Sequence, residues 1–180
     1  MSPIPSISFR INPADLARAS GGVLAAEQMQ DSPVLLKAIN AAMLELVTIA
    51  QKERFTGKGP FPVTEKKLGV VTGRLRRDLH AEPAKVTASG FSSRIGSNVE
   101  YFRAHELGFS GTVQVKAHQR SAYTMASRGY SVLEQSVRAH SKKLNIPARM
   151  PLMTAIGQHS QRIIAIALDR AIKSLLPLHP

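Results

Sequence analysis

His105 and Glu106, with His118 and His140 downstream, are the side chains of this chain whose types could do chemistry. An imidazole beside a carboxylate can share a proton, and three converging imidazoles can hold a metal ion. A zincin-type helix needs its second His four residues after the first, and Phe109 stands there instead. Gly108-Phe-Ser-Gly111 sets a Ser between glycines, but it lacks the flanking strand and helix pattern, and the order of acid and His, that a hydrolase needs. Thr56-Gly-Lys-Gly59 lacks the four-residue spacing and the Lys-Ser/Thr of a phosphate-binding loop. Both read as turns. Catalysis needs a nucleophile, a base and a group to orient them. The chain is therefore expected not to be an enzyme and to hold no metal and no cofactor. It has no Cys, so disulfides and thiolate metal sites are excluded.

Charge points to a partner more than to a reaction. The formal net charge is +12. Residues 111–149 hold seven Lys and Arg against the single Glu134, so this 39-residue stretch carries half of the excess. A block of that kind suits nucleic acid phosphate or an acidic protein surface, and a solvated basic hairpin with no dedicated ligand is the plain alternative. The stretch has only Tyr123 and Tyr130 as aromatics, which argues against a platform for stacking single-stranded bases.

The elements that would carry these residues follow from periodicity. A length of 180 residues fits one domain with a real core, and few aromatics with no Trp imply that the core is aliphatic. Residues 1–32 mix Pro, Ser and Gly around a weak helical stretch near Asp15 to Gln30, and are expected to be a flexible N-terminal arm. From Pro33 to Phe55, Leu36, Ile39, Met43, Leu46, Val47 and Ala50 repeat every 3.6 residues, with Ser32 as N-cap. A long loop follows to Val71, and Thr72 would cap a short Arg-rich helix from Gly73 to about His80. Residues 85–97 read as a β-hairpin turning at Ser89-Gly90, and Tyr101 to Leu107 as a short helix ended by Gly108. Val115-Lys-Ala-His-Gln-Arg120 is echoed by Val137-Arg-Ala-His-Ser-Lys142, which reads as a long basic hairpin over 111–145 with Gly129 in its turn. Leu152, Ile156, Ile163, Ala167, Ile172 and Leu175 mark one face of a C-terminal helix ended by Pro177. The expected fold class is α+β. A small antiparallel sheet is packed by a front helix and a long C-terminal helix within one domain over 33–180, and the basic hairpin projects from it.

Four strings recur in fixed order: Val71-Thr-Gly-Arg-Leu-Arg-Arg77, Ile95-Gly-Ser-Asn-Val-Glu-Tyr101, Arg103-Ala-His-Glu-Leu-Gly108 and Ile146-Pro-Ala-Arg149. Their order and spacing resemble the tailed-phage virion morphogenesis and tail-component family, which includes the G-like proteins of Mu-type phages. The resemblance runs from about Ser32 to about Leu176. It implies a structural protein of the virion neck or tail, made in the host cytoplasm, that works as a homo-oligomeric ring, a hexamer or a dodecamer. Its task would be tail completion, tail termination or head–tail joining, against connector and tail tube proteins, with double-stranded genomic DNA passing through. The N-terminus lacks a signal peptide and no 18-residue uncharged apolar run occurs, so no membrane partner is expected.

Within the strings, Gly73, Gly96 and Gly108 are expected to need positive φ or close approach. Tyr101 and His105, four apart on one helix, would pack and hydrogen-bond in the fold. Arg149, between Pro147 and Pro151, would bind a buried carboxylate or carbonyls. Arg74, Arg76 and Arg77 point in different directions, so some should face a neighbouring subunit or DNA. Lys116, Arg120, Arg128, Arg138, Lys142 and Lys143 would line a lumen or grip the next ring. Phe102 and Met150 depart from the usual pattern, since a small residue commonly follows the Tyr and Pro commonly follows Ala-Arg directly. The rival to a ring component is a monomeric or dimeric protein that binds nucleic acid through a basic β-ribbon.

Overall fold

The computed structural model of the chain describes residues 6–12, 14, 15, 18, 32–58, 68–70, 72–126 and 129–175. Its longest front element, α1 (Pro33–Arg54), starts as its sequence requires: the Ser32 hydroxyl accepts from the Leu35 amide at 3.4 Å and Pro33 takes the first helical position. Leu35, Ile39, Ala42, Met43, Leu46 and Ala50 form its buried stripe.

This stripe covers a three-stranded antiparallel sheet in the order β1 (Ser6–Ile11), β5 (Gly90–Gly96), β4 (His80–Thr87). The central β5 inserts Phe91 and Ile95, exposed by 1% and 0%. On β1, Ile7, Phe9 and Ile11 alternate inward opposite Ile95, Ser93 and Phe91. This corrects the expected arm over 1–32 at its beginning, because a period-two apolar pattern finds the open edge of β5. In the weak helical stretch, residues 14, 15 and 18 are helical and the rest lie outside the described residues. The hairpin β4–β5 turns through Ala88-Ser89, with Thr87 opposite Gly90. Its register shifts between Glu82 and Lys85, where Pro83 has no N–H to offer, and Asn40 of α1 accepts the Ala84 amide at 2.7 Å.

The closing helix α4 (Pro151–Leu175) packs along α1 through Leu152, Ala155, Ile156, Ile163 and Ile172. Pro177, expected to end it, lies outside the described residues. Part of the expected loop after α1 pairs as two short parallel strands, β2 (Gly57–Lys58) and β3 (Gly69–Val70), and the Leu68 amide donates to the Arg54 carbonyl at 2.7 Å. Two short helices complete the body, α2 (Arg74–Asp78) and α3 (Phe102–Leu107). The departing residue Phe102 is fully buried and anchors α3 in the core.

The basic hairpin is longer than 111–145. Its base pairs β6 (Phe109–Val115) with β9 (His140–Ile146), and its outer part pairs β7 (His118–Ala126) with β8 (Gly129–Val137). Gly129 is thus the first residue of β8 rather than the turn itself. The base strands pair with each other, and their apolar residues are not among those packed on the core. The ribbon therefore projects from an α+β body, as its polar composition requires.

Candidate functional site

The four strings meet in two pairs. The first pair is joined through α2, a five-residue helix held down by buried Leu75. Its N-cap is Gly73 at φ +69, so the expected capping by Thr72 is corrected. The Thr72 hydroxyl accepts only the Arg74 amide, at 3.4 Å. A left-handed residue at this corner lets Leu75 turn into the core. Gln51 of α1 donates to the carbonyls of Arg76 and Leu79 at 2.8 and 3.4 Å. The helix ends at Asp78 rather than near His80 because Leu79 leaves the helix in extended conformation and is buried.

Asp78 then reaches the second string. Its Oδ2 accepts from the Ser97 hydroxyl and the Asn98 amide, both at 2.6 Å, and Ser97 Oγ accepts the Val99 amide at 3.2 Å. The hydrogen bond from Ser97 leads in holding the Asp78 carboxyl below the usual carboxylate range, helped by the backbone amides and nearby His80 against a smaller opposing effect of burial. Gly96 lies at the end of β5 between Ser6 and His80 and has no positive φ. Of its two expected roles, positive φ is corrected: it is an extended strand residue.

The second pair is joined by Glu106, one position before the end of α3. Helix α4 opens with Pro151, which has no N–H, so its first free donors are the amides of Leu152 and Met153. Glu106 Oε1 accepts both, at 2.6 and 3.3 Å, and the Thr154 amide returns to the Met150 carbonyl at 2.9 Å. The first turn of α4 is thus satisfied by a side chain 46 residues away in sequence. Glu106 is exposed by 1% and its Oε2 has no partner among the described residues. Burial pushes its carboxyl up to about 7, against the two amide bonds that pull it down.

Arg149 forms no ion pair among the described residues. Its Nη1 is 3.3 Å from His105 Nδ1, its amide donates to the His105 carbonyl at 3.0 Å, and its buried Nε is unpartnered. The expected carboxylate or carbonyl partner is corrected: among the described residues the guanidinium meets the His105 ring instead. Because a guanidinium only donates, His105 Nδ1 accepts and the ring is neutral. Burial leads and the Arg149 charge assists in lowering the His105 pKa. Tyr101 meets His105 edge to face at 6.1 Å and 88°, and the His105 amide donates to the Tyr101 carbonyl at 3.4 Å. Gly108 (φ +79) closes the joint: a Cβ there would stand 3.0 Å from the Ala148 amide and 3.2 Å from the Ile146 carbonyl. Met150, exposed and next to α4, has φ +43, a strained value for a side-chain-bearing residue.

The ribbon rises from this joint. Register places Phe109, Gly111, Val113, Val115, His140, Lys142, Leu144 and Ile146 on one face of its base, and Thr112, Gln114, Ser141 and Lys143 on the other. Lys142 and Lys143 therefore point to opposite sides. Val115 pairs with His140 and His118 with Val137, so each strand skips two residues and the register continues unchanged. The skipped pairs, Lys116-Ala117 and Arg138-Ala139, are the centres of the sequence echo. His118 Nδ1 lies 2.9 Å from the Lys116 carbonyl and His140 Nδ1 lies 2.8 Å from the Arg138 carbonyl. The echo is thus a local two-fold interruption of the ladder.

No family model, curated protein or solved structure matches this chain. Its candidate contact residues must be judged by placement. Arg74, Arg76 and Arg77 are all exposed on α2 and form no ion pair among the described residues. Lys116, Arg138, Lys142 and Lys143 are exposed on the ribbon. Arg128 and the side chain of Arg120 lie outside the described residues. Pro147 is exposed at the exit of β9. No cluster of three metal-ligating side chains occurs among the described residues. Asp78 and the capping role of Glu106 are absent from the sequence-based site. Both acids lie in the last turn of a short helix, where the helix dipole disfavours them, and that mismatch was the available signal.

Proposed function

We propose that this protein is a non-enzymatic structural component of a tailed-phage virion, a subunit of a homo-oligomeric ring at the head–tail junction through which DNA passes. The observation that carries this reading is the base of the ribbon. Phe109 and Val113 are 39% and 36% exposed on a face that stands apart from the core, with Val115, Leu144 and Ile146 beside them. Two strands alone are marginally stable in water, and such a face gains from burial against a neighbouring subunit. The three exposed arginines of α2 offer a second contact, to an acidic neighbour or to DNA. A dedicated DNA-reading ribbon would gather its cations on one face, whereas Lys142 and Lys143 diverge.

Electron microscopy of lysates from a phage carrying a nonsense mutation in this gene tests the reading. Filled heads beside separate tails of normal length give a joining or completion role. Tails of uncontrolled length give a terminator. Intact, infectious particles made without the protein overturn the proposal.

A further inference from the structure

Helix α1 is long and apolar enough by length and composition to cross a membrane, yet only 39% of its most apolar stretch is buried. A helix apolar on most sides is normally covered on most sides. Here the sheet and α4 cover part of α1, and between α1 and the second half of α4 an open groove of about 480 Å³ remains. Its floor is small and apolar: Ala38, Ala41 and Ala42 from α1 face Ile163, Ala167 and Ala171 from α4. Val34 and Ile166 stand at its margin, exposed by 37% and 44%.

The rim is charged with one dominant sign. Among the described residues, Lys37, Arg162 and Arg170 line the groove with Glu45 as its only acid, and none of the four has an ion-pair partner. Alanine floors let a helix approach closely, and the α1 wall from Val34 to Glu45 gives it about three turns of track. We propose that this groove docks an acidic amphipathic helix of a partner protein, its small apolar face on the alanines and its carboxylates on Lys37, Arg162 and Arg170. A second copy of this chain offers neither of its long helices as an acidic one, since α1 carries three Lys and Arg against two Glu and α4 carries three against one Asp. This surface is separate from the ribbon and from α2, so it stands whether or not those form ring contacts.

The test uses the whole chain, labelled with nitrogen-15, and three synthetic helical peptides of about four turns. One carries a Leu/Ala stripe flanked by Glu, the second has Lys for every Glu, and the third is the first interrupted by a central Pro. The expected result is amide shifts at Ala38, Ala41, Ile166 and Ala167 with the Glu peptide alone, weakening as salt is raised. Arg162→Glu with Arg170→Glu should weaken that binding at least about tenfold, by charge reversal at two contacts, while thermal unfolding shows the fold retained. The proposal is overturned by an absence of groove shifts with the Glu peptide or by equal binding of the Lys peptide. It is equally overturned if the groove responds only to phosphatidylglycerol vesicles, or if the chain self-associates through it.

Discussion

Two carboxylates, Asp78 and Glu106, are used alike and held in opposite electrostatic states. Each sits in the last turn of a short helix, and each caps backbone amides of a distant segment. Asp78 is half-buried near solvent, takes a hydroxyl and an amide on one oxygen, and is held below its usual pKa. Glu106 is sealed from solvent, takes two amides on one oxygen, leaves the other bare, and is pushed up to about 7. Capping alone does not decide the sign of the shift; the solvation left to the second oxygen does. The relaxed joint ties α2 to the sheet. The costly one ties the ribbon and α4 together, with two of the three unpartnered buried side-chain atoms among the described residues.

Truncation separates the joints most sharply. Glu106→Ala strands the Leu152 amide in the interior, frees the half-buried Met153 amide, and should cost about 2–3 kcal/mol of stability in urea unfolding. Asp78→Ala frees the Asn98 amide of an exposed residue and the Ser97 hydroxyl, which can rotate to another acceptor, and should cost about 1 kcal/mol. Equal losses would break the comparison.

Acidity sharpens it further. A carboxyl whose folded pKa lies above its unfolded value contributes stability below the unfolded pKa and loses it as pH rises through the folded one. For Glu106 that window runs from 4.5 to about 7, so Glu106→Gln should gain on the wild type across it. Asp78 is shifted the other way, so its contribution is present above the usual value of 3.8 and lost as pH falls through its lower folded pKa. Asp78→Asn should therefore cost most above pH 4 and least in acid. Taking differences between variant and wild type cancels His105, whose lowered pKa favours folding at higher pH. Parallel slopes for the two variants in thermal melts would contradict the assignment.

The positive-φ glycine at each joint tests how closely that joint is built. Gly108→Ala adds a Cβ 3.0 Å from the Ala148 amide on top of left-handed strain, and should cost about 2 kcal/mol by chemical denaturation. Gly73→Ala, at φ +69, carries the left-handed strain at the corner before α2 and should cost about 1 kcal/mol.

The elements were largely legible and the joints were not. Leu36 to Ala50 and Leu152 to Leu175 announce α1 and α4 because a 3.6-residue period is a local property. The echo around His118 and His140 announces the ribbon for the same reason. Strand β1 was missed although Ile7, Phe9 and Ile11 alternate, since a short alternation beside Pro and Ser becomes a strand only when an edge such as β5 receives it. Asp78 with Ser97, and Glu106 with Leu152, lie 19 and 46 residues apart. Asp78 and Leu152 lie just outside the four strings, and spacing cannot show which oxygen caps which amide. The ribbon's cations were legible as a count, and only the register shows that they split between faces.

The smallest effect concerns Met150, which precedes α4 at φ +43 with 45% of its surface exposed. A left-handed conformation costs a side-chain-bearing residue about 1–2 kcal/mol, and Gly avoids it while adding freedom to the unfolded chain worth somewhat less. Little apolar burial is lost at so exposed a site. Met150→Gly should therefore stabilise the protein slightly, by about 0.5 kcal/mol, seen as a small rise in Tm. The gain should persist in the Asp78→Ala background, where the other joint is distant, and change in Glu106→Ala, where the first turn of α4 has lost its cap. An unchanged gain in both backgrounds would mean that Met150 strain and Glu106 capping are independent, and the α4 joint would then be two neighbouring features rather than one coupled unit.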